Sequence, residues 1–354
     1  MQSAGRLAYI DAMRGAAALL VVVQHAAQIA HEKGSALFDP MLETINLGRF
    51  GIVLFFLISG FVIPFSFRGA RPIRDFAIGR FFRLYPAYWL SLLAFVLMYS
   101  AMGVAIAPGT ILANVTMLQG AVGIQNVGYG YWTLTVEMAF YAICAALFWR
   151  GKLDDAALIG VAIVACVGLA VSPYLVGAVT GNIGYEWGFP FFLALFLTGL
   201  MLRRAEVEGC AVARRWVPWL VPFMTVAALV LSGWFFPVGS NKVPFFGVAP
   251  LGYANAAAIL VFVACVHWKP RAGRALLFLG TISYSVYLFQ DLALYACVNL
   301  VDAGASGAGY VALVLAMTIA IAVLVYRLVE RPMIALGRRV TGRKEGLPAV
   351  QAAP

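Results

Sequence analysis

Residues 8–30 read Ala8-Tyr-Ile-Asp11-Ala-Met-Arg14-Gly-Ala-Ala-Ala-Leu-Leu-Val-Val-Val-Gln24-His25-Ala-Ala-Gln28-Ile-Ala30. The stretch is long enough to cross a hydrocarbon core, which needs ~20 residues. It shows no alternation of apolar and polar positions, so it does not read as a strand of a membrane barrel. It reads as a spanning helix, because backbone in lipid must satisfy its own hydrogen bonds. Asp11 and Arg14 interrupt its start, His25 sits inside the apolar part, and no small-residue cleavage site follows. The segment is therefore expected to stay in the protein rather than be removed as a signal peptide.

The same pattern recurs along the chain. Hydropathy and chain-breaking residues predict ten spans, at about 8–30, 46–66, 76–102, 131–149, 156–177, 186–202, 216–236, 250–267, 276–300 and 308–329. Of the 354 residues, 63% are hydrophobic and 11% charged, against about 25% charged in a soluble domain. Mean hydropathy is +0.91. A soluble chain of this size has no interior large enough for so much apolar surface. Composition thus excludes a soluble globular enzyme, a disordered regulator and a disulfide scaffold. The expected fold is all-α, a polytopic membrane protein of about ten helices. Residues 1–335 are expected to form one domain, and 336–354 a short, basic, disordered cytoplasmic tail.

The net charge of +10 does not mark a nucleic-acid binder, because the basic residues fall in short clusters between apolar runs. One set of loops holds Arg68, Arg71 and Arg74, then Arg150 and Lys152, then Arg203, Arg204, Arg214 and Arg215, then Lys269, Arg271 and Arg274. The alternate loops hold only Lys33, Arg49 and Lys242. By the positive-inside rule the first set faces the cytoplasm, and an even span count puts both termini there. The Gly-rich stretch 120–130 is then an outward loop. Four of the five cysteines lie in apolar runs and Cys210 lies in a basic loop. None has metal-ligand spacing, so they read as packing residues and no metal site is expected.

Ionisable groups inside spans usually face the protein interior and mark function. Arg14 and His25 are eleven residues apart, within about 20° of one helix face and roughly 16 Å along the axis. Both point into one groove, Arg14 on the cytoplasmic side and His25 in the outer half. The third span opens Arg80-Phe-Phe-Arg83, and its two arginines share a face. Three arginines at one depth would repel unless an anion sits among them, and guanidinium suits phosphate. In the fourth span Thr133, Glu137 and Tyr141 share a face. Counted from the outer surface, Glu137 comes out near the depth of His25, where a carboxylate could orient the imidazole. Trp132 and Tyr141, on either side of Glu137, are the candidate substrate-binding aromatics. Trp89, Trp132, Trp149 and Trp216 also read as interface anchors. Plainer readings stand beside these: a neutral buried His25, a snorkelling Arg14, Glu137 paired with a structural arginine, and arginines tied to Asp11, Asp75 or lipid headgroups.

An inner phosphate-sized basic site joined by a groove to an outer His/Glu site fits a donor with phosphates and a long thin arm. A coenzyme A thioester has that shape. An acceptor hydroxyl at the outer site could give its proton to His25 as it attacks the thioester.

The segment Leu7-Ala-Tyr-Ile-Asp11-Ala-Met-Arg14-Gly15 followed by His25 resembles the opening motif of the acyltransferase-3 family of integral membrane acyltransferases. So do Phe55-Phe56-Leu-Ile-Ser59-Gly60-Phe61, Arg80-Phe-Phe-Arg83-Leu-Tyr-Pro86, and Trp132-Thr-Leu-Thr-Val-Glu137 with Tyr141. Ser283-Tyr284-Ser-Val-Tyr287-Leu288 and Glu330-Arg331-Pro332 complete the series, in family order over nearly the whole chain. The resemblance implies transfer of an acyl group, usually acetyl from acetyl-CoA, to hydroxyls of sugars or other acceptors. Examples are lipopolysaccharide O-antigen, exopolysaccharide, nodulation factors and macrolides. It implies His25 as the catalytic histidine with Arg14 its motif partner, Arg80 and Arg83 at the donor site, and Glu137 at the family's acidic position. Two departures stand out. Gln290 occupies a position where the family usually has histidine, and glutamine cannot titrate. The second is that no C-terminal extracytoplasmic hydrolase-like domain is expected, which favours a stand-alone acyltransferase.

The expected function is therefore a multi-pass O-acyltransferase of the bacterial cytoplasmic membrane. Cytoplasmic acyl-CoA would be the co-substrate and a carbohydrate or lipid-linked glycan the outer partner. His25 and Glu137 would do the chemistry, and Arg14, Arg80 and Arg83 would hold the donor. The alternative is an exporter of a glycan precursor, against which the chain shows no internal repeat of the kind many transporters carry.

Overall fold

The structure is a computed structural model. It describes residues 7–180, 188–234, 247, 249–298, 300, 302–304 and 306–342. The chain is 82% helical, with no strand among the described residues. Its helices are α1 (Ala8–Glu32), α2 (Asp39–Thr44), α3 (Leu47–Val62), α4 (Pro72–Ala101), α5 (Pro108–Val115), α6 (Trp132–Trp149), α7 (Ala156–Thr180), α8 (Gly188–Glu206), α9 (Ala211–Trp234), α10 (Ala249–Trp268), α11 (Arg274–Cys297), α12 (Gly307–Val325) and α13 (Arg331–Val340). Each predicted span coincides with one helix. Eight are long and apolar enough to cross a membrane, while the stretches 47–62 and 156–172 are shorter apolar helices.

The boundaries that differ do so for local reasons. The second span was expected to run to 66, but α3 ends at Val62 and a 3-10 turn covers Ile63–Ser66. Pro64 lacks the N–H that another α-helical turn would use. α4 starts earlier than expected because Pro72 fits the first helical turn. After α12 a π-helical turn, Tyr326–Glu330, leads into α13. α13 runs to Val340, with Gly337 buried against Phe82 of α4. Residues 336–340, placed in the tail by the sequence, are thus helical, with Gly337 buried and Leu336 and Val340 exposed. Residues 343–354 of that tail lie outside the described residues.

α1 is the hub, packed on α11, α3 and α12. Its crossing with α11 is close because glycines face each other. A Cβ on Gly280 would strike the Asp11 backbone, so only glycine lets the helices approach this near. Around this hub α3 packs on α8 and α10, and α7, α8, α9 and α10 form the far layer.

The segment 103–131 closes over one end of the bundle through Asn114, which is fully buried. Its Nδ2 donates to the carbonyls of Thr110 (2.8 Å) and Gln125 (2.9 Å). Its Oδ1 accepts from the Val127 N–H (3.0 Å), and its carbonyl accepts from the Tyr88 hydroxyl (2.6 Å). Thr135 Oγ1 donates to the Met117 carbonyl (2.9 Å). These bonds seat the 3-10 turn Tyr129–Tyr131 against the helices.

Candidate active site

Among the described residues, two cavities of this bundle together hold every candidate site residue. The inner one, about 90 Å³, is lined by Arg14 of α1, Arg80 and Arg83 of α4, Glu137 and Tyr141 of α6, and Ser59 of α3. The outer one, about 270 Å³, is lined by His25 of α1, Arg49 of α3, Trp132 of α6 and Gln290 of α11, among others. They share two wall residues, Ile52 and Tyr287.

The sequence reading expected Arg14 and His25 to face one groove; the structure places them in two cavities that share Ile52 and Tyr287. Arg80 and Arg83 join Arg14 as expected. No carboxylate lies within the 4.0 Å of an ion pair from any of the three guanidiniums, among the described residues. Arg80 lies over the rings of Phe76 (5.5 Å) and Tyr141 (5.8 Å) and donates to Ser66 Oγ at 3.3 Å. Its Nε is buried without a hydrogen-bond partner. Cations held by ring faces keep donors available for an anion.

Glu137 is not where its expected partnership needs it. Its carboxylate lies in the inner cavity, accepting from the Tyr141 hydroxyl (2.6 Å) and from Ser59 Oγ (3.2 Å). It is within electrostatic reach of Arg14 and Arg80. His25 meets Tyr129 instead, ring edge to ring face with centroids 5.6 Å apart. The depth count failed because the exposed turn before α6 comes level with His25. Its Tyr129 already reaches the level of His25, and Glu137 follows eight residues later, roughly 12 Å deeper. The predicted His25–Glu137 pair is thus corrected: Glu137 belongs with the arginines. Trp132 lies beside His25 in the outer cavity, and Tyr141 lies beside Glu137 in the inner one, its hydroxyl committed.

The carboxylate near His25 is Asp291, which the sequence reading passed over. It is within electrostatic reach of the imidazole and accepts from the Gly130 N–H. Its signal was an acid inside an apolar helix, one turn past Tyr287 on the same face. His25 Nδ1 lies 3.1 Å from Gln28 Oε1, an acceptor that suits an Nδ1–H and turns Nε2 to the cavity. Gln290 is buried, and its Oε1 has no partner. It lines the same cavity as His25, so a hydroxyl donor there would find an acceptor.

Tyr287 is fixed between the cavities. Its hydroxyl donates to the Gly130 carbonyl (3.0 Å) and lies 2.8 Å from Thr133 Oγ1. A Cβ on Gly130 would meet that hydroxyl at 3.0 Å, so glycine permits the approach. On the inner side, the π-helical turn brings Glu330 into the interior, 2% exposed. Glu330 accepts from Ser285 Oγ at 2.8 Å and sits within electrostatic reach of Arg83 and Arg14.

A family model for an acyltransferase domain, acyltransferase-3, matches residues 7–327. The chain belongs to the acyltransferase-3 family. Acyltransferase MdmB of Streptomyces mycarofaciens is 25% identical over 387 residues, covering 99% of this chain and 97% of the relative. Exopolysaccharide production protein ExoZ of Rhizobium meliloti (strain 1021) is 27% identical over 329 residues, covering 86% and 96%. Nodulation protein 10 of Rhizobium leguminosarum bv. viciae is 23% identical over 368 residues, covering 97% of each. No solved structure matches the chain significantly. As a member of the family the chain is a membrane acyltransferase.

Proposed function

We propose that this acyltransferase moves an acyl group, acetyl foremost, from acyl-CoA on the cytoplasmic side to a hydroxyl of a sugar-containing acceptor on the outer side. The membrane would be the bacterial cytoplasmic membrane, with the basic loops inward. The observation that carries the reading is the pairing of two sites. Three guanidiniums line one cavity, none in an ion pair within 4.0 Å among the described residues, with Glu137 and Glu330 acting on them at longer range, and His25, about 16 Å along α1, lines the next. Half-buried cations at one depth favour an anion among them, and the phosphates of coenzyme A supply it. The pantetheine arm then runs past Ile52 and Tyr287 toward His25.

In the transfer, Nε2 of His25 takes the acceptor hydroxyl proton as its oxygen bonds to the thioester carbonyl carbon. The carbon–sulfur bond breaks, and the proton passes from the imidazolium to the coenzyme A sulfur. Asp291 supplies the counter-charge to the imidazolium, and Gln290 Oε1 accepts from an acceptor hydroxyl. Glu137 and Glu330 hold the arginines in place. The relatives named for exopolysaccharide production and nodulation suit a saccharide acceptor. The test is acyl transfer from acetyl-CoA by purified wild-type protein and His25→Ala at matched folding. Loss of transfer is expected in the variant. Transfer at the wild-type rate would end the assignment of the base, and no transfer by the wild type would favour the exporter.

A further inference from the structure

The outer cavity holds a cation that acyl transfer at His25 leaves unused. Arg49 lies in the first turn of α3, where Asn46 caps the helix by accepting from the Arg49 N–H at 2.8 Å. Its guanidinium carbon lies 5.3 Å from the ring centre of Phe192 and 6.0 Å from that of Trp132. These rings satisfy its need for polarisable surface but not its N–H donors. Nη1 is buried and has no hydrogen-bond partner. No carboxylate lies within 4.0 Å of Arg49 among the described residues. The groups that act on it electrostatically are the phenols of Tyr129 and Tyr287, and neither is a carboxylate. Arg49 is half-buried, and a guanidinium donor withdrawn from water without a partner is costly. Its in-plane donors match a carboxylate bidentately.

We propose that Arg49 makes the outer cavity a carboxylate-recognition site, selecting a substrate with a carboxylate near the group that reacts at His25. The cavity, about 270 Å³, is close to the low end of small-molecule sites, about 300 Å³, which suits one sugar ring. Gln28, Asn46 and the unpartnered Oε1 of Gln290 offer polar contacts for its hydroxyls. The carboxylate has two chemical sources: a uronic acid on the acceptor, or a dicarboxylic acyl group on the donor. The inference rests on the acyltransferase reading for the reaction, but the binding it describes is independent of turnover.

The experiment is calorimetry on the full-length protein in detergent, for wild type, Arg49→Gln and Arg49→Lys. One pair of probes is methyl glucuronide against methyl glucoside, and the other is succinyl-CoA against acetyl-CoA. The wild type should favour the carboxylate member of one pair by about tenfold or more. Arg49→Gln should abolish that preference, and Arg49→Lys should keep part of it. Preference in the sugar pair assigns the carboxylate to the acceptor, and preference in the thioester pair assigns it to the donor. No preference in wild type overturns the proposal, however the variants fold. A preference that survives in a folded Arg49→Gln overturns it too. Glucuronide selectivity without any thioester binding would keep the Arg49 site and sink the coenzyme A reading instead.

Discussion

Asp291 takes the role that depth counting gave to Glu137, and its effect is separable from that of the arginines. Replacing it with asparagine removes the charge facing His25 while keeping the shape. Asp291→Asn should lower kcat about 10²-fold with little change in the KM for acyl-CoA, read by steady-state transfer. A fall in KM behaviour alone, with kcat intact, would make Asp291 a structural residue. At this scale the sequence was readable where the signal was local. Arg80 and Arg83 share a helix face by spacing, and the structure brings them to Arg14. The partner of His25 was not readable, because it depends on where a turn between helices folds. Arg49 was hidden for a related reason: a charge at the end of a span looks like a loop charge until the aromatic rings around it are known.

Between helices, the site depends on two contacts that hydropathy cannot show. One is the α1–α11 crossing, which sets Arg14 and His25 against Tyr287 and Asp291. Gly280→Val would drive a side chain into the Asp11 backbone and should cost about 1–3 kcal/mol or more, measured as a lowered unfolding midpoint in detergent. An unchanged midpoint would mean that the helices are not so close. The other is the Asn114 bracket, whose side chain makes three hydrogen bonds. Asn114→Ala should cost about 2–3 kcal/mol at roughly 1 kcal/mol per bond, and transfer should fall with it because Tyr129 and Gly130 lose their seat. Full transfer by that variant would separate the outer loop from the site. The ten apolar segments themselves were legible, since spanning length and apolar composition are local properties. The Pro64 turn and the π-helical turn at Glu330 shifted their ends.

Across the whole molecule, the central feature is a partition: a basic cavity and a histidine cavity with Tyr287 and Ile52 between them. On the proposed function these two residues line the passage by which the thioester reaches His25, and they limit the water that reaches it there. Tyr287→Ala should therefore raise hydrolysis of acetyl-CoA relative to transfer, by several-fold, in an assay that follows free thiol and acylated product together. Equal ratios in the two proteins would mean that the wall does not gate water. The partition also separates binding from chemistry. The most direct measurement is acetyl-CoA affinity by calorimetry for wild type, His25→Ala and Arg80→Ala/Arg83→Ala. Wild type and His25→Ala should bind alike, and the double variant should lose at least about tenfold. Equal binding by all three, or loss of binding on removing His25 alone, would contradict a donor site built on the arginines and a separate reacting site at His25.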